Sequence, residues 1–204
     1  MQLVCVILIP HTGLGTLGLM HPHWYSASPD VQRKLISRYL LSLTPNSTRT
    51  TSSPSSVTPI SAFESELDYI RSPNDIAAVL RWGLRHLRLD ADAFGKDSAE
   101  WEWYTAFAEA ERASDYPPQA FTQKLVPNLP EAHRELLSAT LDIVSSLAAH
   151  SESIGSSGSK ITKLLGLWLL TAHRHEESDD WNVFYDRWER AGRIMEHLFL
   201  ARIR

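Results

Sequence analysis

LPEAHRELLSATLDIVSSLAAHSESIGSSGSKITKLLGLWLLTA, residues 129–172, reads as two helices joined by a Ser/Gly hinge. In its first half Leu136, Leu137, Thr140, Leu141, Val144, Leu147 and Ala148 recur at three- and four-residue spacing, which gathers them on one broad helical face. Pro130 suits a first helical turn, where its missing N–H costs nothing. In the second half Leu164, Leu165, Leu167, Trp168, Leu169 and Leu170 leave almost no polar side. Other elements must therefore cover this helix on most sides, which places it at the expected centre of the core. It is too short to span a bilayer.

Around that hairpin, the whole chain has 204 residues, 43% of them hydrophobic, and a formal net charge of -4. Such totals suit one soluble domain or one domain with appendages. Charge of both signs is dispersed, which argues against general nucleic-acid binding, since that requires a dense basic patch. The single cysteine, Cys5, excludes an internal disulfide and a multi-cysteine zinc site and fits a reducing compartment. The apolar start LVCVILI is the one candidate strand. It lacks the basic flank of a secretory signal, and the cytosol is expected. At the other end the helical pattern is still running at Arg204, as in a shortened sequence.

Two motifs mislead. Gly13-Leu14-Gly15-Thr16-Leu17-Gly18 satisfies the dinucleotide-binding spacing, but no helix opens at its third glycine, so it reads as chance spacing in a flexible loop. His21-Pro22-His23 and His173-Arg174-His175-Glu176 hold metal-ligating residue types, yet such loop histidines are ordinarily solvated; no metal or cofactor is expected.

Taken in order, Ser28-Pro29-Asp30 opens a helix with serine as its cap, and Val31, Leu35, Tyr39 and Leu43 mark the apolar stripe while Arg33, Lys34 and Arg38 face away. Residues 44–59, TPNSTRTTSSPSSVTP, carry too little apolar surface to offset the entropy of ordering them and read as a disordered internal loop. Ser61-Ala62-Phe63-Glu64 has the form of a capping box, with Leu67 and Ile70 turned inward. A helix over residues 75–89 follows Ser72-Pro73. It places Ile76, Val79, Leu80, Gly83, Leu84 and Leu87 on one face, and Arg81, Arg85 and Arg88 on the other. Asp97-Ser98-Ala99-Glu100 is a further capping box, before a helix loaded with Trp101, Trp103, Tyr104 and Phe107. Tyr116-Pro117-Pro118 ends it, and a short helix with Phe121, Leu125 and Val126 leads into the hairpin. Acidic residues 176–180 introduce a last helix striped by Trp181, Phe184, Trp188, Ala191, Met195 and Leu198. The expectation is an all-α domain of about eight helices over residues 28–204, preceded by an N-terminal segment and loop over 1–27.

The stretches PHTGLGTLGLMHPHWYSASPDVQRKLISRYL, DIAAVLRWGLRHLRLD, FGKDSAEWEWYTAFAEAERASDYPP, GSKITKLLGLWLLTA and DDWNVFYDRWERAGRIMEHLFLARIR resemble the fungal morphogenesis family. Its domain is named after a budding-yeast bud-emergence protein and a fission-yeast meiotically up-regulated protein. The resemblance runs from about His11 to the end and implies a cell-polarity protein with a domain similar to Rho GTPase-activating (RhoGAP) domains. Active RhoGAP domains carry a leucine-lysine-x-x-leucine-arginine helix; Leu80-Arg81-Trp82-Gly83-Leu84-Arg85 is similar and implies a GTPase-facing role for Arg81 and Arg85. Ser159-Lys160-Ile161 is similar to that family's asparagine-lysine-methionine motif, with serine in place of asparagine.

The arginine finger that stabilises transition-state charge in that family would fall near residues 23–28, and no Lys or Arg precedes Arg33. The resemblance therefore implies a noncatalytic adaptor, not an enzyme, using Arg81, Arg85, Arg88, Ser159, Lys160 and Lys163 to bind a Rho-family GTPase or a polarity scaffold. It implies a cytoplasmic site at the cell cortex or at sites of polarised growth. An active GTPase-activating protein and a helical structural module that binds no GTPase stay open as alternatives.

Overall fold

The computed structural model describes residues 13–21, 28–43, 59–70, 72–86, 94, 101–171 and 180–204. Their elements are α1 (Pro29–Ser42), α2 (Pro59–Tyr69), α3 (Pro73–Arg85), α4 (Glu102–Ala113), a π-helical turn (Phe121–Leu125) running into a 3-10 turn (Val126–Asn128), α5 (Glu131–Ala149), α6 (Ser151–Ile154), α7 (Gly158–Leu170) and α8 (Trp181–Ile203). Among the described residues there is no strand, and the fold is all-helical as expected. The apolar start, the capping box at 97–100, most of the serine- and threonine-rich stretch (44–58) and His175 with the acidic residues 176–179 lie outside the described residues.

α7 is the hub. Ile161, Leu165, Leu169 and Leu170 are buried, and α3, α5 and α8 all pack against it. The α7–α8 crossing is the most extensive in the molecule, and glycine allows it. A Cβ on Gly166 would lie 2.8 Å from Met195 Cβ and 2.9 Å from the Ala191 carbonyl oxygen; one on Gly192 would lie 2.6 Å from Lys163 Cγ. Close approach of two backbones thus replaces side-chain interdigitation at the centre. α5 buries Leu136, Leu137, Thr140, Leu141, Val144 and Leu147 on the face that its spacing predicts. Thr140 is satisfied there by donating to the Leu136 carbonyl at 2.8 Å.

Several local expectations change. The Ser/Gly hinge is a pinned connection: Ile154 is fully buried, Gly155 takes the left-handed conformation (φ 68°) that favours glycine, and Ser157 caps α7 by accepting from the Lys160 N–H. Residues 13–21 are likewise a series of packed turns and not a flexible loop. The Gly18 N–H donates to the Ile154 carbonyl at 2.9 Å, and Leu19 and Met20 are buried.

Ser28 and Ser72 occupy cap positions without using their hydroxyls. Instead the buried Asp75 carboxylate, in the first turn of α3, accepts the Ser28 N–H at 2.6 Å. One acid thus complements its own helix dipole and satisfies an orphan donor at the start of α1. α2 begins at Pro59, which puts Ser61 inside the helix and not at its cap. Leu43 and Trp181, assigned to apolar stripes, are exposed; the inward face of α8 becomes fully buried only from Ala191. Of the aromatics at the start of α4, Trp101, Trp103 and Phe107 are buried in the core and Tyr104 is half-buried against it. No helix among the described residues is long and apolar enough to cross a membrane.

Candidate functional site

α3 buries Ile76, Val79, Leu80 and Leu84, and this orients the rest of the helix. Arg81 is only half-exposed. Its Nη1 donates to the His21 carbonyl oxygen at 2.6 Å and to that of Met20 at 3.4 Å. Burial, with a smaller contribution from the charge of Arg85, holds the guanidinium below the ordinary arginine pKa; it is still charged at neutral pH. Arg85, one turn on, is exposed and meets no carboxylate among the described residues. Arg88 lies outside them.

The turn that Arg81 grips forms one wall of a cleft of about 430 Å³. Met20 and His21 face Lys160, Lys163 and Leu164 of α7 across it, and Trp188 of α8 closes the end. Lys160 and Ser159 are exposed in the first turn of α7, with Lys160 Nζ meeting no carboxylate among the described residues. Lys163 differs. Its Nζ is 2.9 Å from Glu189 Oε1 and 5.7 Å from the centre of the Trp188 ring, and its stem lies in the notch that Gly192 leaves open. The hydrogen bond from Lys163, opposed by partial desolvation and assisted by the charges of Lys163 and Arg193, holds the Glu189 carboxyl below its usual range.

The fold therefore gathers Arg81, Lys160 and Lys163 around one turn, although they come from two helices far apart in sequence. Arg85 and Lys160 present charge that no carboxylate among the described residues pairs, Lys163 is already neutralised, and Arg81 is committed to the backbone. Sequence reading missed Met20, His21, Trp188, Glu189 and Gly192. A glycine in the middle of a strong helical pattern was the available signal for a close approach at Gly192. Chemically, an apolar cleft with the exposed Lys160 ammonium group on its wall suits an acidic partner. Among the described residues no group of three or more His, Cys, Asp or Glu is placed to hold a metal ion.

These features define an all-helical domain with a basic-rimmed apolar cleft. Residues 71–204 match the family described as the meiotically up-regulated protein Msb1/Mug8 domain, and the chain belongs to that family. Membership suggests a morphogenesis-related role. No curated protein matches the chain.

Proposed function

We propose that this chain is a noncatalytic adaptor that binds the acidic face of a Rho-family GTPase or of a polarity scaffold. The observation that carries the reading is the pair of exposed cations that meet no carboxylate among the described residues, Lys160 on the cleft wall and Arg85 one helical turn beyond the Arg81 that holds the turn lining it. They stand on the two segments that resemble RhoGAP interface motifs. Such charges raise the rate of encounter and select partners of opposite sign. Residues 23–28, which the resemblance aligns with the finger loop, contain no Lys or Arg. A binder needs only complementary charge, whereas an accelerator needs a cation at the γ-phosphate.

The experiment is single-turnover GTP hydrolysis by a panel of Rho-family GTPases with and without this chain, alongside binding of each in its GDP and GTP forms. Binding without acceleration, lost in Arg85→Glu and Lys160→Glu, is the expected result. Acceleration by orders of magnitude would replace the adaptor with an active GTPase-activating protein. Absence of binding to any GTPase or polarity scaffold would leave a structural module.

A further inference from the structure

Arg81 and Trp82 are consecutive on α3 but serve different surfaces: Arg81 reaches the turn at Met20 and His21, whereas Trp82 faces α1. Between α1 and α3 lies an open groove of about 530 Å³ lined by Arg33, Ile36, Ser37, Leu40, Leu41 and Trp82. Its apolar content is unusually exposed. Leu40 and Leu41 are 50% and 54% accessible, and the half-buried Trp82 indole, stacked on His86 at 4.7 Å, lines the groove from the α3 side.

Arg33 lines the groove, and further basic residues follow on the adjoining side of α1. Lys34 and Arg38 are one turn apart on α1, and Leu41 continues their row. Arg33 pairs with Asp30 and Lys34 with Glu66, while Arg38 is exposed and meets no carboxylate among the described residues. We propose that this groove docks an acidic amphipathic helix of a partner protein, apolar side chains over Leu40, Leu41 and Trp82 and carboxylates toward Arg38. Helix-in-groove recognition uses this combination of a hydrophobic trough and a charged margin. A second copy of the chain fits worse, because a two-fold contact would set each patch against itself and bring Arg38 toward Arg38. A membrane surface fits worse too, since the Trp82 indole is half-buried and stacked on His86 and is not an exposed ring free to insert.

The test uses the full chain and a labelled designed peptide of about 18 residues, roughly five helical turns, with leucines at i, i+3, i+4 and i+7 and glutamates on both flanks. Its twin carries lysines in place of the glutamates. Fluorescence anisotropy should show the glutamate peptide binding at least about tenfold more tightly than the twin. Leu41→Glu and Arg38→Glu, both at exposed positions, should each weaken it by about tenfold or more without changing the thermal melt. Equal affinity for the two peptides, no binding of either, or binding indifferent to both substitutions would overturn the proposal. So would adsorption to phosphatidylserine-containing vesicles without peptide binding, or a concentration-dependent dimer, if Leu41→Glu abolished it; these outcomes assign the groove to a membrane or to a second copy.

Discussion

Arg81 Nη1 stands 2.6 Å from the carbonyl oxygen of His21, sixty positions earlier in the chain, so a residue that resembles part of a GTPase interface also fastens the turn beside the cleft. Its charge is directed at the backbone and only its flank is open to a partner. Arg85, free of such a tie, is the cleaner probe of binding.

Replacing Arg81 by Met should therefore lower stability, because charge-assisted hydrogen bonds contribute about 1.5–3 kcal/mol each and here two carbonyls lose their donor. Arg85→Glu should leave the urea midpoint within about 0.5 kcal/mol of the parent. An unshifted midpoint in Arg81→Met would show that the turn is held by its apolar contacts alone. A double Arg81→Glu/Arg85→Glu change mixes both effects and cannot report binding by itself.

Gly166→Ala should destabilise despite the better helix propensity of alanine. The propensity gain is about 1 kcal/mol, whereas the added methyl meets Met195 Cβ and the Ala191 carbonyl at 2.8 and 2.9 Å, and overpacking of this kind costs about 1–3 kcal/mol. At Gly83, where an added Cβ meets nothing within 4 Å, alanine should stabilise the protein. Thermal melts of the two variants shifting in the same direction would contradict the packing account.

Glu111 of α4 is fully buried and receives His197 Nε2 at 2.7 Å and Arg204 Nη1 at 2.8 Å, while His197 Nδ1 meets the Tyr104 hydroxyl at 2.9 Å. This network ties α4 to the last turns of α8. Glu111→Ala should cost roughly 3 kcal/mol, because it leaves the partly buried Arg204 guanidinium without its counter-charge and His197 Nε2 without its partner. Burial first, then the Glu111 charge, raises the Tyr104 pKa. Glu111→Ala should move the Tyr104 titration back toward the ordinary phenol value, a shift readable by ultraviolet absorbance.

The Lys163–Glu189 pair sets an acid limb on stability. The Glu189 pKa is lower folded than unfolded, so its contribution is fully present above the ordinary carboxylate pKa and is lost as the pH falls through that value toward the folded one. Glu189→Gln should flatten the decline in urea midpoint over that acidic window while leaving the neutral-to-alkaline slope unaltered. An identical decline in both proteins would exclude the pair as its source.

Periodicity alone accounts for most helices: the buried faces of α3, α5 and α7 follow from spacings such as Ile76, Val79, Leu80, Leu84 or Leu137, Leu141, Val144. Their existence depends on near-neighbour residues in one segment. Helix starts were less legible, since Ser28 and Ser72 stand at caps but the Ser28 N–H is satisfied by Asp75, 47 positions away. The candidate site was legible in its cations and not in its geometry. Resemblance marked Arg81, Arg85, Lys160 and Lys163, but which charges remain free depends on the His21 carbonyl and on Glu189, each supplied by a different segment. The exposure of Trp181, Leu40 and Leu41 has the same origin. A side chain's place on its helix is a local property, whereas its burial and charge compensation are set by the neighbours that folding brings to it.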